Sequence, residues 1–410
     1  MNTVMIIAGE SSGELYGALL AKELKRQWPE LHIAGIGGNR MGEAGVELIA
    51  RTSDAFGLTE AVSSLRRIKA AFSSAVSALK TYKPAVLVLI DYPDFNFRVG
   101  KIAKSLGIKI LYYVSPQVWA WRKGRVKKIA GFVDRMAVIL PFEEELYKAA
   151  GVPCEFVGHP ILEEIGEMMQ PKVENLPPLI PPLSREGVGG SFTPNAELRA
   201  SFKAALGLDP NKPVLSLLPG SRPSELTRHM PLMVEVVRAF KSDPELHPRK
   251  DYQFCMPLAP NTDETKYGLF LEVLKQEGVV INKGESVRTL ASSDMAVVAS
   301  GTATLQTALL EVPMVVIYKL SALSYHLGKR ILNVKHIALV NILSDSEVVK
   351  ELIQDRANPR EIIEELKRIA FDTLYRDSMI LHYKKMKEPF SGKSTSKRVA
   401  EMVMELAGRD

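Results

Sequence analysis

The sequence predicts an α/β protein built as two Rossmann-like, doubly wound parallel-sheet domains facing a cleft. Three observations carry this. Short, β-branched apolar runs alternate with helical patterns along the chain, as strands buried on both faces and their crossover helices do. The chain has 410 residues, more than one ordinary core accommodates. A stretch rich in proline and glycine, Pro171 to Pro194, carries no apolar periodicity and separates two such alternating series. The expected division is 1–170 for the first domain, 171–194 for a linker or insertion, 195–370 for the second domain and 371–410 for a helical tail.

In order, Thr3 to Ala8 reads as a buried strand and Glu14 to Gln27 as the helix that follows, its apolar residues at helical spacing. His32 to Ile36 is a second strand. Thr59 to Tyr82 is helical, Ala85 to Ile90 is a continuous apolar strand, and Lys109 to Val114, Val133 to Leu140 and Pro153 to Val157 continue the series. After the break come strands at Val214 to Leu218, Tyr252 to Met256, Val279 to Ile281, Met295 to Ala299 and Met314 to Tyr318, with helices between them. From Pro359 onward the pattern is mostly helical. Open α/β sheets bind ligands outside the carboxyl ends of their strands, so the loops there are the candidate sites.

Composition narrows the class. The chain is 46% hydrophobic and 24% charged, as soluble globular proteins are. Cys154 and Cys255 are its only cysteines and lie far apart, which argues against a disulfide framework or thiolate zinc site and fits a reducing cytosol. The apolar start is ended by Gly9-Glu10 too early for a signal peptide. No run approaches the roughly 20 apolar residues of a spanning helix. A net charge of +6 suits nucleic acid, anionic lipid or phosphorylated small molecules and does not choose among them.

Four loops carry candidate chemistry. In Ala8-Gly9-Glu10-Ser11-Ser12-Gly13-Glu14, between strand and helix, Gly9, Ser12 and Gly13 allow close approach to a ligand at a helix N-terminus; a tight turn with a serine cap is the alternative. The dinucleotide spacing G-x-G-x-x-G is absent. In Ile90-Asp91-Tyr92-Pro93-Asp94-Phe95-Asn96, Asp91 ends an apolar strand, where a carboxylate is costly unless it works or is paired, and it is placed to act as a general base. Asp94 reads as the N-cap of the next helix. Tyr113 to Arg122 holds Trp119 and Trp121, which stack on sugar or pack under the sheet, and Arg122, Lys123, Arg125, Lys127 and Lys128, which hold phosphate, line an anionic membrane or form a solvated face. In Leu217-Leu218-Pro219-Gly220-Ser221-Arg222, a glycine turn, a hydroxyl and a guanidinium at a helix start suit a diphosphate. Ser300-Gly301-Thr302 opens another helix in the same way. There is no G-x-x-x-x-G-K-[ST] loop, no zinc pairing at helical spacing and no G-x-S-x-G elbow. His159 in Gly158-His159-Pro160 is read either as a turn and packing residue or as a substrate contact.

Taken together, AGESSGE at 8–14, IDYPDFN at 90–96, YVSPQVWAWR at 113–122, LPFEEELY at 140–147, VGHP at 157–160, LLPGSR at 217–222, ASGTATLQ at 299–306 and VNILSD at 340–345 resemble the lipid-A-disaccharide synthase family of GT-B glycosyltransferases. The blocks run through nearly the whole chain in the family's order, and VSPQVWAWR followed by LPGSR is the most specific pair. The resemblance implies transfer from UDP-2,3-diacylglucosamine to 2,3-diacylglucosamine 1-phosphate (lipid X), giving a β-1,6-linked disaccharide 1-phosphate and UDP. It implies Asp91 as base for the acceptor 6-hydroxyl, with Glu10, Arg222 and Asn341 as further catalytic positions. Asn96, Gly220, Ser221, Ser300, Gly301, Thr302, Gln306 and Gln354 join the first glycine loop on the substrate and UDP side, Arg222 serving both groups.

Inversion at C1 requires attack opposite the leaving diphosphate, so one base and one charge-stabilising group suffice, and no paired carboxylates of the retaining type are needed. No metal and no cofactor are expected, and no D-x-D motif is evident. The expected partners are the two lipid substrates and the cytoplasmic face of the inner membrane, held peripherally, with no nucleic acid; a homodimer is left open. Leu65 to Phe72, where Arg66, Arg67 and Lys69 interleave with apolar residues, reads as a membrane-docking or an ordinary amphipathic surface helix. Glu14 and Gln306 stand where the family usually has aspartate and glutamate, and 171–194 looks additional to it. Competing readings are another UDP-N-acetylglucosamine enzyme of the same fold, which would not supply VSPQVWAWR, and a non-catalytic binding protein for anionic lipid or nucleic acid, which UDP would not stabilise against heat.

Overall fold

The computed structural model describes residues 3–9, 11–51, 61–116, 125–169, 193–246, 251–320 and 335–409. Glu10, both tryptophans of the 113–122 block with Arg122 and Lys123, and 171–192 of the proline-rich stretch lie outside the described residues. The chain divides into two compact units, Met1–Glu163 with Gly392–Asp410, and Glu164–Ser391.

The first unit runs β1 (Thr3–Ala8), α1 (Ser11–Gln27), β2 (His32–Gly37), α2 (Asn39–Glu43), β3 (Glu47–Arg51), α3 (Ala61–Tyr82), β4 (Val86–Ile90), α4 (Pro93–Ser105), β5 (Lys109–Tyr113), α5 (Arg125–Ala130), β6 (Arg135–Val138), α6 (Glu143–Lys148), β7 (Cys154–Phe156) and the start of α7 (Ile161–Met169). The seven strands lie in the order β3-β2-β1-β4-β5-β6-β7, and neighbouring strands pair in parallel. Every residue of β1 and β4 is buried, which is why their sequences are continuous apolar runs rather than alternating ones. Tyr16, Leu20 and Leu24 recur every four residues of α1 and are all buried, the apolar stripe that holds this helix to the sheet. β1 pairs with both β2 and β4, so the chain winds outward to β3 and then returns to β4 on the other side of β1. Ala8 and Ile90 are partners at the carboxyl ends of that pair. The loops after β1 and β4 therefore flank a topological switch point.

The second unit repeats the plan with α8 (Ala196–Ala205), β8 (Val214–Leu218), α9 (Pro223–Ser242), β9 (Gln253–Leu258), α10 (Glu264–Gln276), β10 (Val279–Lys283), α11 (Ser286–Ala291), β11 (Met295–Ala299), α12 (Thr302–Leu309), β12 (Met314–Tyr318), α13 (Leu339–Ser344), β13 (Glu351–Ile353), α14 (Pro359–Phe371) and α15 (Thr373–Lys387). Its order is β10-β9-β8-β11-β12-β13, so the switch point falls between β8 and β11. Leu218, the last residue of β8, pairs there with Val298, one residue from the end of β11.

The tail expected as one element from 371 is shared between the units. α15 buries Met379, Tyr383 and Met386 in the second unit, and a 3-10 turn at Glu388–Phe390 with Pro389 ends that run. The last helix, α16 (Thr395–Leu406), belongs to the first unit. It buries Val399, Met402 and Val403, and the Arg398 guanidinium grips the Glu155 carboxylate on β7 at 2.6 and 2.8 Å.

Candidate active site

At the switch point of the first unit, Asp91 and Tyr92 both adopt left-handed backbone, with φ 48° and 40°. Such a conformation costs a non-glycine residue about 1–3 kcal/mol and persists only when its surroundings enforce it. Tyr92 precedes Pro93, whose ring further restricts the backbone before it. Four hydrogen bonds enforce the conformation. The Asn96 amide nitrogen donates to the Ile90 carbonyl at 3.2 Å and to the Asp91 carbonyl at 2.7 Å. The Tyr112 hydroxyl donates to the same Asp91 carbonyl at 2.8 Å. Asp91 N–H donates to the Val114 carbonyl at 3.2 Å. Gly9 completes the fit, because a Cβ there would lie 2.4 Å from Tyr92 Cβ, so the first glycine loop and the aspartate loop touch only if residue 9 has no side chain.

Asn96 is wholly buried, and its Oδ1 has no hydrogen-bond partner among the described residues. Burial pushes the Tyr112 phenol well above its ordinary range, with the nearby Asp91 charge adding to the effect, so it stays a donor. Asp94 is not the N-cap expected of it. Tyr92 takes that position, and the Asp94 carboxylate, on the first turn of α4, pairs with Arg125 at 2.7 Å.

Other predicted polar groups of this unit serve the fold. Glu14 is buried, and its Oε1 accepts from Arg40 N–H at 2.9 Å. It caps the N-terminus of α2, whose own N-cap residue, Gly38, offers no side chain. His159 is buried, with its ring edge-on to Tyr16 at 5.8 Å. Its Nδ1 accepts from Ile161 N–H at 3.2 Å, and desolvation lowers its pKa to about 3, so it is a neutral cap on α7. Ser115 donates to the buried Glu143 carboxylate at 2.6 Å, which ties the YVSPQVWAWR block to LPFEEELY. Glu10 lies outside the described residues.

In the second unit the turn after β8 is built differently from the expectation. Gly220 has φ 105°, and a Cβ there would lie 2.4 Å from Glu225 Oε2. That buried carboxylate oxygen accepts from Ser221 N–H at 3.1 Å and Arg222 N–H at 3.2 Å. The two amides at this helix start are therefore occupied by a side chain of α9. What the turn presents outward is the Arg222 guanidinium, 55% exposed and 3.5 Å from Glu225 Oε1. Across the switch point, Ser300 donates to the Ile337 carbonyl at 2.9 Å, and Gly301 is the N-cap of α12 with no side chain to cap it. The first turn of α12, from Thr302, lies at this end of the sheet, with the Thr304 N–H closed back onto the Gly301 carbonyl at 3.1 Å. Gln306 is buried on its next turn.

Two residues that organise these loops have no signature in the sequence. His229, buried inside α9, donates from Nδ1 to the Pro219 carbonyl at 2.7 Å and accepts at Nε2 from Lys319 N–H at 3.0 Å. This neutral tautomer joins the turns after β8 and β12. Glu351 accepts at Oε1 from Ala338 N–H at 3.0 Å and from the Asn341 amide at 2.8 Å. Asn341, expected to face substrate, is wholly buried. Its Nδ2 also donates to the Val349 carbonyl at 2.8 Å, and its Oδ1 accepts from Val348 and Val349 N–H at 2.8 and 2.9 Å. All four positions of its amide are engaged within the protein, so it fixes the 341–351 loop and has nothing left to offer a ligand. Gln354 likewise turns inward, its Oε1 accepting from Leu320 N–H at 2.6 Å.

Residues 4–176 and 191–403 match the family model described as lipid-A-disaccharide synthetase. The match is interrupted inside the proline-rich segment. The chain is 39% identical over 408 residues to lipid-A-disaccharide synthase of Geobacter metallireducens, covering 99% of this chain and 97% of that protein. It is 38% identical to the protein of that name from Coxiella burnetii, covering 98% of each. Among solved structures it resembles UDP-GlcNAc 2-epimerase of Neisseria meningitidis bound to UDP-GlcNAc, with TM-score 0.66 and 11% identity, covering 98% of this chain and 100% of that one. At that identity the likeness is one of fold, and it places the two parallel-sheet units in the GT-B class.

Proposed function

This chain belongs to the lipid-A-disaccharide synthase family, and we propose that it joins UDP-2,3-diacylglucosamine to 2,3-diacylglucosamine 1-phosphate. It is a glycosyltransferase of lipid A synthesis. The acceptor 6-hydroxyl oxygen forms the new bond to C1, the bond from C1 to the diphosphate oxygen breaks, and its electron pair leaves with UDP. The hydroxyl proton passes to Asp91. The observation that carries this assignment is the left-handed Asp91 held at the switch point by Asn96 and Tyr112, inside a family match that covers nearly the whole chain. Strain imposed on a carboxylate-bearing residue at a strand end is the mark of a group that must be aimed.

Arg222 is the group assigned to the diphosphate, with α12's first turn as its neighbour across the sheet end. Negative charge that develops on the leaving oxygen is stabilised by such fixed cations and amides. Asn341 and Gln354 act in this scheme as positioning residues. Glu10 is assigned to the acceptor side on family resemblance alone. The enzyme sits peripherally on the cytoplasmic face of the inner membrane. Among the described residues no helix is long and apolar enough to cross a membrane, and Arg66, Arg67 and Lys69 are exposed on α3. The test is to incubate the purified protein with both diacyl substrates and measure UDP and disaccharide in equal amounts. UDP formed without the acceptor, or epimerised sugar nucleotide, would refute the assignment.

A further inference from the structure

We propose that Glu225 is a built-in competitor of the nucleotide diphosphate, a positioning residue that holds Arg222 and limits how tightly UDP is kept. The inference rests on the assignment of Arg222 to the diphosphate. Its basis is the position of one buried carboxylate. Oε2 takes the Ser221 and Arg222 amides and Oε1 lies 3.5 Å from the Arg222 guanidinium. A single side chain thus neutralises the α9 N-terminus and the cation beside it, which are the two features of this turn that attract an anion. Gly220 confirms that the arrangement is built in, since any side chain there would collide with this carboxylate.

A diphosphate that reaches Arg222 meets a guanidinium already partnered. Arg222 is 55% exposed while the Glu225 side chain is 9% exposed, so the arginine can swing toward the ligand and the glutamate stays. The bound diphosphate then lies near a fixed negative charge, which weakens its hold without removing the donors that orient it. An enzyme that must release UDP in every cycle gains turnover from such a counterweight.

The consequence has a sign that a merely structural role would not give. Glu225→Gln keeps an acceptor for the two amides and removes the charge, so UDP should bind roughly 3- to 10-fold tighter, the range expected for a partly exposed charge pair. Titration calorimetry with UDP on the full chain reads this directly, beside unfolding curves. Arg222→Ala should weaken UDP, and Glu225→Gln in that background should no longer tighten it. If Glu225→Gln does not fold, Glu225→Ser, which removes the charge and keeps a short hydroxyl at the helix start, should still tighten UDP. Unchanged or weaker binding in a folded Glu225 variant overturns the proposal. UDP affinity that is indifferent to Arg222→Ala instead overturns the assignment of Arg222 on which it rests.

Discussion

The hydroxyl of Tyr112, at the carboxyl end of β5, donates at 2.8 Å to the main-chain carbonyl of Asp91, which follows the neighbouring strand β4. The bond goes to the backbone, so Tyr112 governs where the Asp91 side chain points without competing for its carboxylate. Asn96 grips the same carbonyl from the first turns of α4. Together they hold a left-handed aspartate that an isolated chain would let relax.

Tyr112→Phe keeps the ring and deletes this bond. Stability should fall by about 1 kcal/mol, and kcat by about tenfold as the carboxylate loses its aim. The dissociation constant for UDP should not change, because the diphosphate is assigned to the other unit. Asn96→Ala, which strips donors from two carbonyls, should cost more on both counts. Urea unfolding and steady-state kinetics on the same preparations separate the effects, and a Tyr112→Phe enzyme with full kcat would show that the phenol does not position the base.

Asn341 carries the opposite expectation. Its amide makes four internal hydrogen bonds, so Asn341→Ala strips the Val349 N–H and carbonyl of their side-chain partner and takes a donor from buried Glu351, while Val348 N–H keeps only the Ser346 carbonyl at 3.0 Å. A loss of about 2–4 kcal/mol follows. Activity should fall with the folded fraction and recover at temperatures where the variant is folded. A variant of native stability that is nonetheless inactive would restore Asn341 to the substrate side.

Acid should unfold the protein partly through His159. Its folded pKa, depressed by desolvation to about 3, lies below its ordinary value of 6.5. Between those values the unfolded chain binds the extra proton, so stability is lost as pH falls below 6.5 and the loss ends near 3. From pH 6.5 to pH 5 this one group should cost about 2 kcal/mol. His229 is also lowered, chiefly by burial, and adds in the same direction. His159→Gln should flatten the pH dependence of urea unfolding, and an unchanged slope would mean that His159 is charged in the fold.

Much of this was legible before the structure, and what escaped did so for physical reasons. β1, β4, β8 and β11 are buried throughout and announce themselves as apolar runs. β3 is mostly half-exposed and β13 has three residues, so neither has a pattern to read. Asp91 stood out because a carboxylate at the end of an apolar strand needs a reason. Glu225 looked like any glutamate in a first helical turn, and His229 like any polar residue within a helix; only coordinates show that each reaches a neighbouring loop. In the LPGSR turn, sequence shows the glycine, the hydroxyl and the guanidinium but not the carboxylate that returns to occupy the amides. Helical periodicity does not say which core a helix packs on, so the pattern after 371 cannot separate α16, which belongs to the first unit, from α15, which belongs to the second.

Asp91→Asn is the sharpest test of mechanism, and the geometry makes it a clean one. Asparagine tolerates left-handed backbone as aspartate does, and the bonds from Tyr112 and Asn96 go to the main-chain carbonyl, so both survive the change. The variant should fold normally with its side chain aimed as before, lacking only the capacity to take a proton. A primary hydroxyl is a poor nucleophile, and a positioned base contributes about 10²- to 10⁴-fold, so kcat should fall at least within that range. UDP affinity should be unchanged. Arg222→Ala should differ by weakening UDP as well as slowing turnover. Near-normal turnover in folded Asp91→Asn, measured with the two purified diacyl substrates, would remove Asp91 from proton transfer. Asp94 is a poor successor, since its carboxylate is 80% exposed and paired with Arg125. Glu10 would then be the residue to change.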